Sequence, residues 1–191
     1  MEVLFVLLTY LVGGIPFGYL LGKLKGIDIR KHGSGNVGAT NVARVLGKPY
    51  GVAVYILDFL KGFIPTYLAV KIYGLDSYMV TLVGLAAILG HMFSPFLGFK
   101  GGKGVATASG VLFGINPLLG LAVLTIWFVI YKLSGYVSVA SILAAFSAIF
   151  LVGMLGYPLN IIVLVTLAAV LILVKHKSNI ERLSEGRELK V

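Results

Sequence analysis

Seven apolar segments follow one another along this chain, at roughly 3–22, 50–73, 78–98, 104–116, 117–131, 136–156 and 158–174. A helix of about 20 apolar residues crosses the hydrocarbon core of a bilayer. Such segments take up most of the 191 residues, and only 12% of the residues are charged. A soluble domain carries about 25%, so this chain has too few polar residues to cover a surface in water. The expected fold is an all-α membrane protein of seven transmembrane helices, a single integral domain over 1–191. The fourth and fifth segments are short and divided by Asn116-Pro117. They are read as two helices, in preference to one broken re-entrant pair, because the charges then fall into place.

Basic residues favour cytoplasmic loops. Lys23, Lys25, Arg30, Lys31, Arg44 and Lys48 follow the first segment, and Lys100 and Lys103 follow the third. Lys132 follows the fifth, and Lys175, Lys177, Arg182, Arg187 and Lys190 follow the seventh. That is 14 of the 16 basic residues; Lys71 falls in an opposite loop and Lys61 within a span. The asymmetry predicts an N-terminus outside and a C-terminus in the cytoplasm. The first segment starts Met1-Glu2-Val3 and has no small-x-small cleavage site, so it is expected to remain as a span. The net charge of +9 has no soluble basic domain behind it. It points to topology and to anionic small molecules, not to nucleic acid. The chain has no cysteine, which excludes disulfides, thiolate metal ligands and a catalytic thiol.

Three polar segments fall on the expected cytoplasmic face. The first, His32 to Arg44, reads HGSGNVGATNVAR. Gly33, Gly35 and Gly38 satisfy G-x-G-x-x-G, but a span precedes them and no βαβ unit follows, so a dinucleotide fold is a poor reading. Glycines let backbone N–H groups converge on an anion. Ser34, Asn36, Thr40 and Asn41 add hydrogen-bonding groups, and Arg44 adds a planar cation suited to phosphate. A plain polar loop carrying topology charges is the alternative. The second, Gly98 to Thr107, reads GFKGGKGVAT. It lacks the Walker A spacing, yet a glycine loop opening onto a helix start cradles anions, with Lys103 as a point charge. A membrane-edge turn with snorkelling lysines is the alternative. The third, Lys175 to Leu183, reads KHKSNIERL. In a continuing helix His176 and Asn179 share a face, and His176 is an acid, a base or a phosphate donor, or simply an interface residue.

Asp58 and Lys61, spaced i, i+3 within the second segment, are functional candidates or a mutually neutralising structural pair. His91 reads as a hydrogen-bonded packing residue. Carboxylates and histidines are few and scattered, so no metal site is expected.

Taken together and in order, GSGNVGATNVAR, GFKGGKGVAT and KHKSNIERL resemble the bacterial acyl-phosphate:glycerol-3-phosphate acyltransferases, the PlsY family. The resemblance covers the whole chain. It implies transfer of a fatty acyl group from acyl phosphate to the 1-hydroxyl of sn-glycerol 3-phosphate in phospholipid synthesis. The products are 1-acyl-glycerol 3-phosphate (lysophosphatidic acid) and inorganic phosphate. It implies a multi-pass protein of the bacterial inner membrane with its active site facing the cytoplasm and no cofactor. Ser34, Arg44, Lys103, His176 and Asn179 are then the catalytic set. Gly33, Gly35, Asn36, Thr40, Asn41, Gly101, Gly102 and Gly104 bind substrate, and Glu181 is structural. The implied partners are acyl phosphate, glycerol 3-phosphate, membrane lipid and a soluble enzyme that supplies the donor. A transporter for phosphate-containing metabolites is the competing reading, disfavoured because the polar groups gather on one face and no internal repeat is visible.

Overall fold

The computed structural model describes residues 1–190 and is all-helical among them. The first apolar segment is two helices, α1 (Glu2–Gly14) and α2 (Phe17–Leu24), broken at Ile15-Pro16. A 3₁₀ turn (Ile29–Lys31) and the short helix α3 (Ala39–Leu46) lie in the first polar region. There follow α4 (Lys48–Tyr73), α5 (Tyr78–Met92), α6 (Val105–Ile115), α7 (Pro117–Ser134), α8 (Val137–Met154), α9 (Leu159–Lys175) and α10 (Lys177–Ser184). Asn116 divides α6 from α7. Its side chain accepts from the N–H groups of Leu118 and Leu119, and Pro117 takes the first helical position.

This is an integral membrane protein by its helices: five spans are long and apolar enough to cross a bilayer. α9 qualifies as a sixth when counted together with the polar α10, which is bent 53° from it. The fourth expected segment is the short one. At 11 residues, α6 rises only about 16 Å, roughly half the hydrocarbon core. The third expected segment is not one continuous helix, because α5 ends at Met92 and a 3₁₀ turn (Pro95–Leu97) completes it.

Lipid gives helices no hydrophobic reason to associate, so close packing of small residues does the work. A Cβ on Gly13 would strike the Ala87 carbonyl, and one on Gly90 would strike that of Tyr10, so α1 and α5 touch backbone to backbone. The same holds for α4 and α6. A Cβ on Gly62 would meet the Thr107 carbonyl, one on Gly110 that of Phe59, and one on Gly114 that of Phe63. These pairings make α6 run parallel to α4 and begin roughly 12 Å along it. The short helix therefore starts inside the bundle, which recesses Gly101 to Gly104 before it, while Gly98 to Lys100 stay exposed.

The break in the first span frees carbonyls that lipid cannot satisfy. Ser94 donates its hydroxyl to the Gly14 carbonyl at 2.6 Å, and Lys61 donates its ammonium to that of Ile15 at 3.0 Å. Gly110→Val is expected to destabilise the protein by about 1–3 kcal/mol, as overpacking does, read as a lower midpoint of thermal unfolding in detergent. An unchanged midpoint would contradict the α4–α6 contact.

Candidate active site

The third polar segment is a helix break. The chain turns at His176, which ends α9 and starts α10, and the residue is 3% exposed. His176 Nδ1 lies 2.8 Å from the Ile172 carbonyl. A carbonyl only accepts, so Nδ1 carries the hydrogen and Nε2 keeps its lone pair. Burial, and then the nearby Lys103 ammonium, lower the His176 pKa to about 4. The imidazole is therefore neutral at physiological pH.

Asn179 sits one turn into α10 and is buried. Its Oδ1 accepts from Lys103 Nζ, which joins the second segment to the third. Its Nδ2 donates to Glu188 Oε1 at 2.5 Å. Glu188 also accepts from Ser138 Oγ at 2.8 Å, at the start of α8, and pairs with Arg182 at 2.8 Å. The tail that carries Glu188 folds back over the site. Its Leu189 and Lys190 carbonyls accept from Arg44 at 2.8 and 3.1 Å, which draws the first segment in. Burial would raise the Glu188 pKa, but its hydrogen bonds from Asn179, Ser138 and Arg182 hold it below the usual range, so it is ionised. Burial, and then Arg182, lower the Lys103 pKa to about 8, with Glu188 opposing and Arg44 adding to the fall. Three cations, Arg44, Lys103 and Arg182, thus surround one carboxylate, an excess of two positive charges suited to a phosphate dianion.

Arg44, Lys103, His176 and Asn179 are brought together as the sequence led us to expect. Ser34 is placed by a different device. Its backbone N–H donates to Asn41 Oδ1 at 2.8 Å, and Asn41 Nδ2 donates to the Ile29 and His32 carbonyls at 3.2 and 3.1 Å. The Asn41 amide is fully buried and wholly used in pinning this loop onto α3, so Asn41 shapes the loop and presents nothing to a ligand. Gly33 (φ 58°) and Gly35 (φ 71°) make the left-handed turns on either side of a half-buried Ser34. Asn36 and Thr40 are half-buried beside it, without side-chain partners among the described residues. No side-chain hydrogen bond joins Ser34 to Lys103, His176 or Asn179.

Two expectations are corrected. The N–H groups of Gly101 and Gly102 are already spent, on the Met92 and His91 carbonyls at 3.2 and 3.0 Å. These glycines are required because a Cβ would strike the His91 carbonyl or ring. The amides open to an anion are at the start of α6, where Gly104, left-handed at φ 82°, gives no side-chain cap. Glu181 is exposed, and its carboxylate has no partner among the described residues. The carboxylate that ties the third segment together is Glu188, whose side chain is 3% exposed. In the sequence it is one acid in a basic tail, nine residues past Asn179, and only its contacts distinguish it.

A recessed, positively charged arrangement of this kind on a helical bundle defines the class of a membrane enzyme acting on phosphorylated substrates. The family model for glycerol-3-phosphate acyltransferase matches residues 3–186, and the chain belongs to that family. A glycerol-3-phosphate acyltransferase of Aquifex aeolicus is 52% identical over 189 residues, covering 98% of each chain. One of Geobacter sulfurreducens is 46% identical over 188 residues, covering 98% of this chain and 96% of its own. The crystal structure of PlsY, an integral membrane glycerol 3-phosphate acyltransferase in its glycerol 3-phosphate form, superposes with a TM-score of 0.98 at 50% identity, covering 100% of this chain and 95% of that one. A lysophosphatidic acid form superposes with a TM-score of 0.94.

Glu188→Ala is expected to cost on the order of 2–3 kcal/mol, because it strands Arg182 and the Asn179 amide. Glu181→Ala should stay within about 0.5 kcal/mol. Thermal unfolding of the two purified variants decides between them, and equal midpoints would remove Glu188 from this role.

Proposed function

We propose that this chain transfers a fatty acyl group from acyl phosphate to the 1-hydroxyl of sn-glycerol 3-phosphate, giving lysophosphatidic acid and inorganic phosphate. One observation carries the reading: three cations gather round a single carboxylate at the Lys103–Asn179 pair. Both substrates carry phosphate, and this site is built for it. The donor is also lipidic. An apolar groove of about 390 Å³ runs between α1 and α4, lined by Phe5, Leu8, Val12, Leu57, Ile64 and Leu68. Its inner end reaches Phe17 and Lys61, which also border Val37 and Gly101 of the first two polar segments. An alkyl chain in that groove leaves its head group near the cations. The transporter alternative falls with membership of an acyltransferase family.

In the reaction, the 1-hydroxyl oxygen bonds to the acyl carbonyl carbon, and the carbon–oxygen bond to phosphate breaks, with its electron pair leaving on phosphate. The donor is already an activated anhydride, so positioning and charge stabilisation suffice. Arg44 and Lys103 neutralise charge gathering on the phosphates. The hydroxyl proton goes to a phosphate oxygen in preference to His176, whose basicity burial and the nearby Lys103 ammonium depress. The free Nε2 of His176 accepts a hydrogen bond instead. Ser34 binds substrate and is not acylated. Purified protein given acyl phosphate and glycerol 3-phosphate should release lysophosphatidic acid. With the acceptor omitted, intact mass should show no acyl adduct on Ser34. Absence of product sinks the activity, and an adduct sinks direct transfer.

Lys103 must hold its proton to bind phosphate. Its pKa is lowered to about 8, so the charge is present below that value and lost above it. Accordingly kcat/KM for glycerol 3-phosphate should fall above about pH 8, approaching tenfold per pH unit. Lys103→Arg, always charged, should be slower but lose this alkaline limb. A limb retained in that variant would assign it elsewhere.

We further propose seven spans in the bacterial inner membrane, the N-terminus outside and the site facing the cytoplasm. Support comes from the loop charges and from seven apolar helical segments, counting the recessed α6. A soluble enzyme that makes acyl phosphate is the natural supplier at that face. Single cysteines at positions 36 and 178 of this cysteine-free chain should label only from the cytoplasmic side. Periplasmic labelling would reverse the topology.

A further inference from the structure

Behind the glycine-rich loop lies a charged cluster that the proposed chemistry leaves unused. Asp58 and Lys61 of α4 are paired at 2.8 Å with side chains 2% and 3% exposed. His91 of α5 brings Nδ1 to 3.7 Å from the same carboxylate oxygen. Lys61 donates one hydrogen bond to the Ile15 carbonyl, and Asp58 Oδ1 is ion-paired but accepts no well-directed hydrogen bond. Beside it is a cavity of about 10 Å³ bordered by Ile15, Val37, Asp58, His91, Ser94 and Gly101. That is room for about one water.

Charges at this depth are costly, and a buried ion pair is commonly no more stabilising than well-packed apolar residues of the same volume. Retention of the pair therefore calls for a role other than stability, and its contacts name one. Lys61 caps the carbonyl freed where the first span breaks, just before α2 leads into the first polar segment. The His91 and Met92 carbonyls receive the Gly102 and Gly101 amides. The His91 ring fills the space a side chain on Gly102 would need. The Met92 carbonyl also receives Lys175 Nζ at 2.8 Å, one residue before His176. The break of the first span and the second and third polar segments are thus moored to the cluster or to the end of α5 beside it. Lys103 follows Gly102 directly.

We infer that Asp58, Lys61 and His91 are a buried positioning cluster that holds the glycine loop and the break of the first span in register, and so places Lys103 for the acceptor phosphate. The inference rests on the proposed acceptor, glycerol 3-phosphate. The three residues do not touch substrate; they act through Gly101, Gly102 and the Ile15 carbonyl. A ligand group displaced by an ångström loses binding energy steeply, so loosening the loop raises KM more than it lowers kcat.

The test uses the full-length protein in detergent. The double variant Asp58→Leu/Lys61→Met removes both charges together, and His91→Ala leaves the ion pair intact. Each is expected to unfold within a few degrees of the parent, to raise KM for glycerol 3-phosphate about tenfold, and to keep kcat within about threefold. Hydrogen–deuterium exchange, which needs no turnover, should show the Gly101 and Gly102 amides exchanging about tenfold faster. A merely structural cluster would let the folded double variant keep the parent KM, and that result overturns the inference. So does unchanged exchange over residues 98–104 in either folded variant, or faster exchange with an unmoved KM. Should the double variant fail to fold, His91→Ala decides the question alone. Should the parent itself fail to acylate glycerol 3-phosphate, the proposed function falls while exchange still tests the mooring of the loop.

Discussion

Lipid offers no hydrogen bonds, so every polar group placed between the membrane faces must find its partner within the protein. The break at Ile15-Pro16 puts that constraint to work. A continuous helix would have satisfied its own carbonyls. The interrupted one recruits Ser94 for Gly14 and Lys61 for Ile15. Lys61 in turn requires Asp58, and Asp58 draws in His91. His91 and Met92 then fix the loop that delivers Lys103. One interruption in one span thus propagates, through obligatory partners, to the candidate site.

The site obeys the same rule with charges in place of carbonyls. Arg44, Lys103 and Arg182 are too close together to be left without a carboxylate in a half-buried setting. Glu188 supplies it from the end of the chain and in doing so fixes Asn179, whose other amide atom meets Lys103. Compensation is partial, and the remaining positive charge is what an anionic substrate neutralises. Removing Lys103 from bulk water brings its pKa toward the working range, whereas His176 is driven away from it. The same burial therefore makes one a pH-sensitive cation and the other a neutral hydrogen-bonding group.

Small residues set the depth of all this. Gly62, Gly110 and Gly114 bring α4 and α6 into backbone contact, and that contact fixes where α6 begins. Because it begins inside the bundle, α6 is only 11 residues long, and Gly101 to Gly104 ahead of it are drawn back from bulk solvent. Bulkier residues there would move the helices apart and shift the start of α6.

The sequence by itself determined the solvent, the succession of apolar helices and the three polar segments, because hydropathy and charge are properties of each stretch alone. It also marked Arg44, Lys103, His176 and Asn179 as a set, through the joint resemblance of their segments to one family. The Asp58–Lys61 pair was legible too, since i, i+3 spacing on a helix is local geometry. Only the tertiary structure decided which polar groups face a ligand and which are consumed within the protein. Asn41 and the Gly101 and Gly102 amides looked available and are spent on backbone partners. Glu181 looked structural, yet Glu188 does that work. The reason is that a hydrogen bond is settled by which atoms meet at about 3 Å, and here they meet from segments up to 146 residues apart, a proximity that no local pattern encodes.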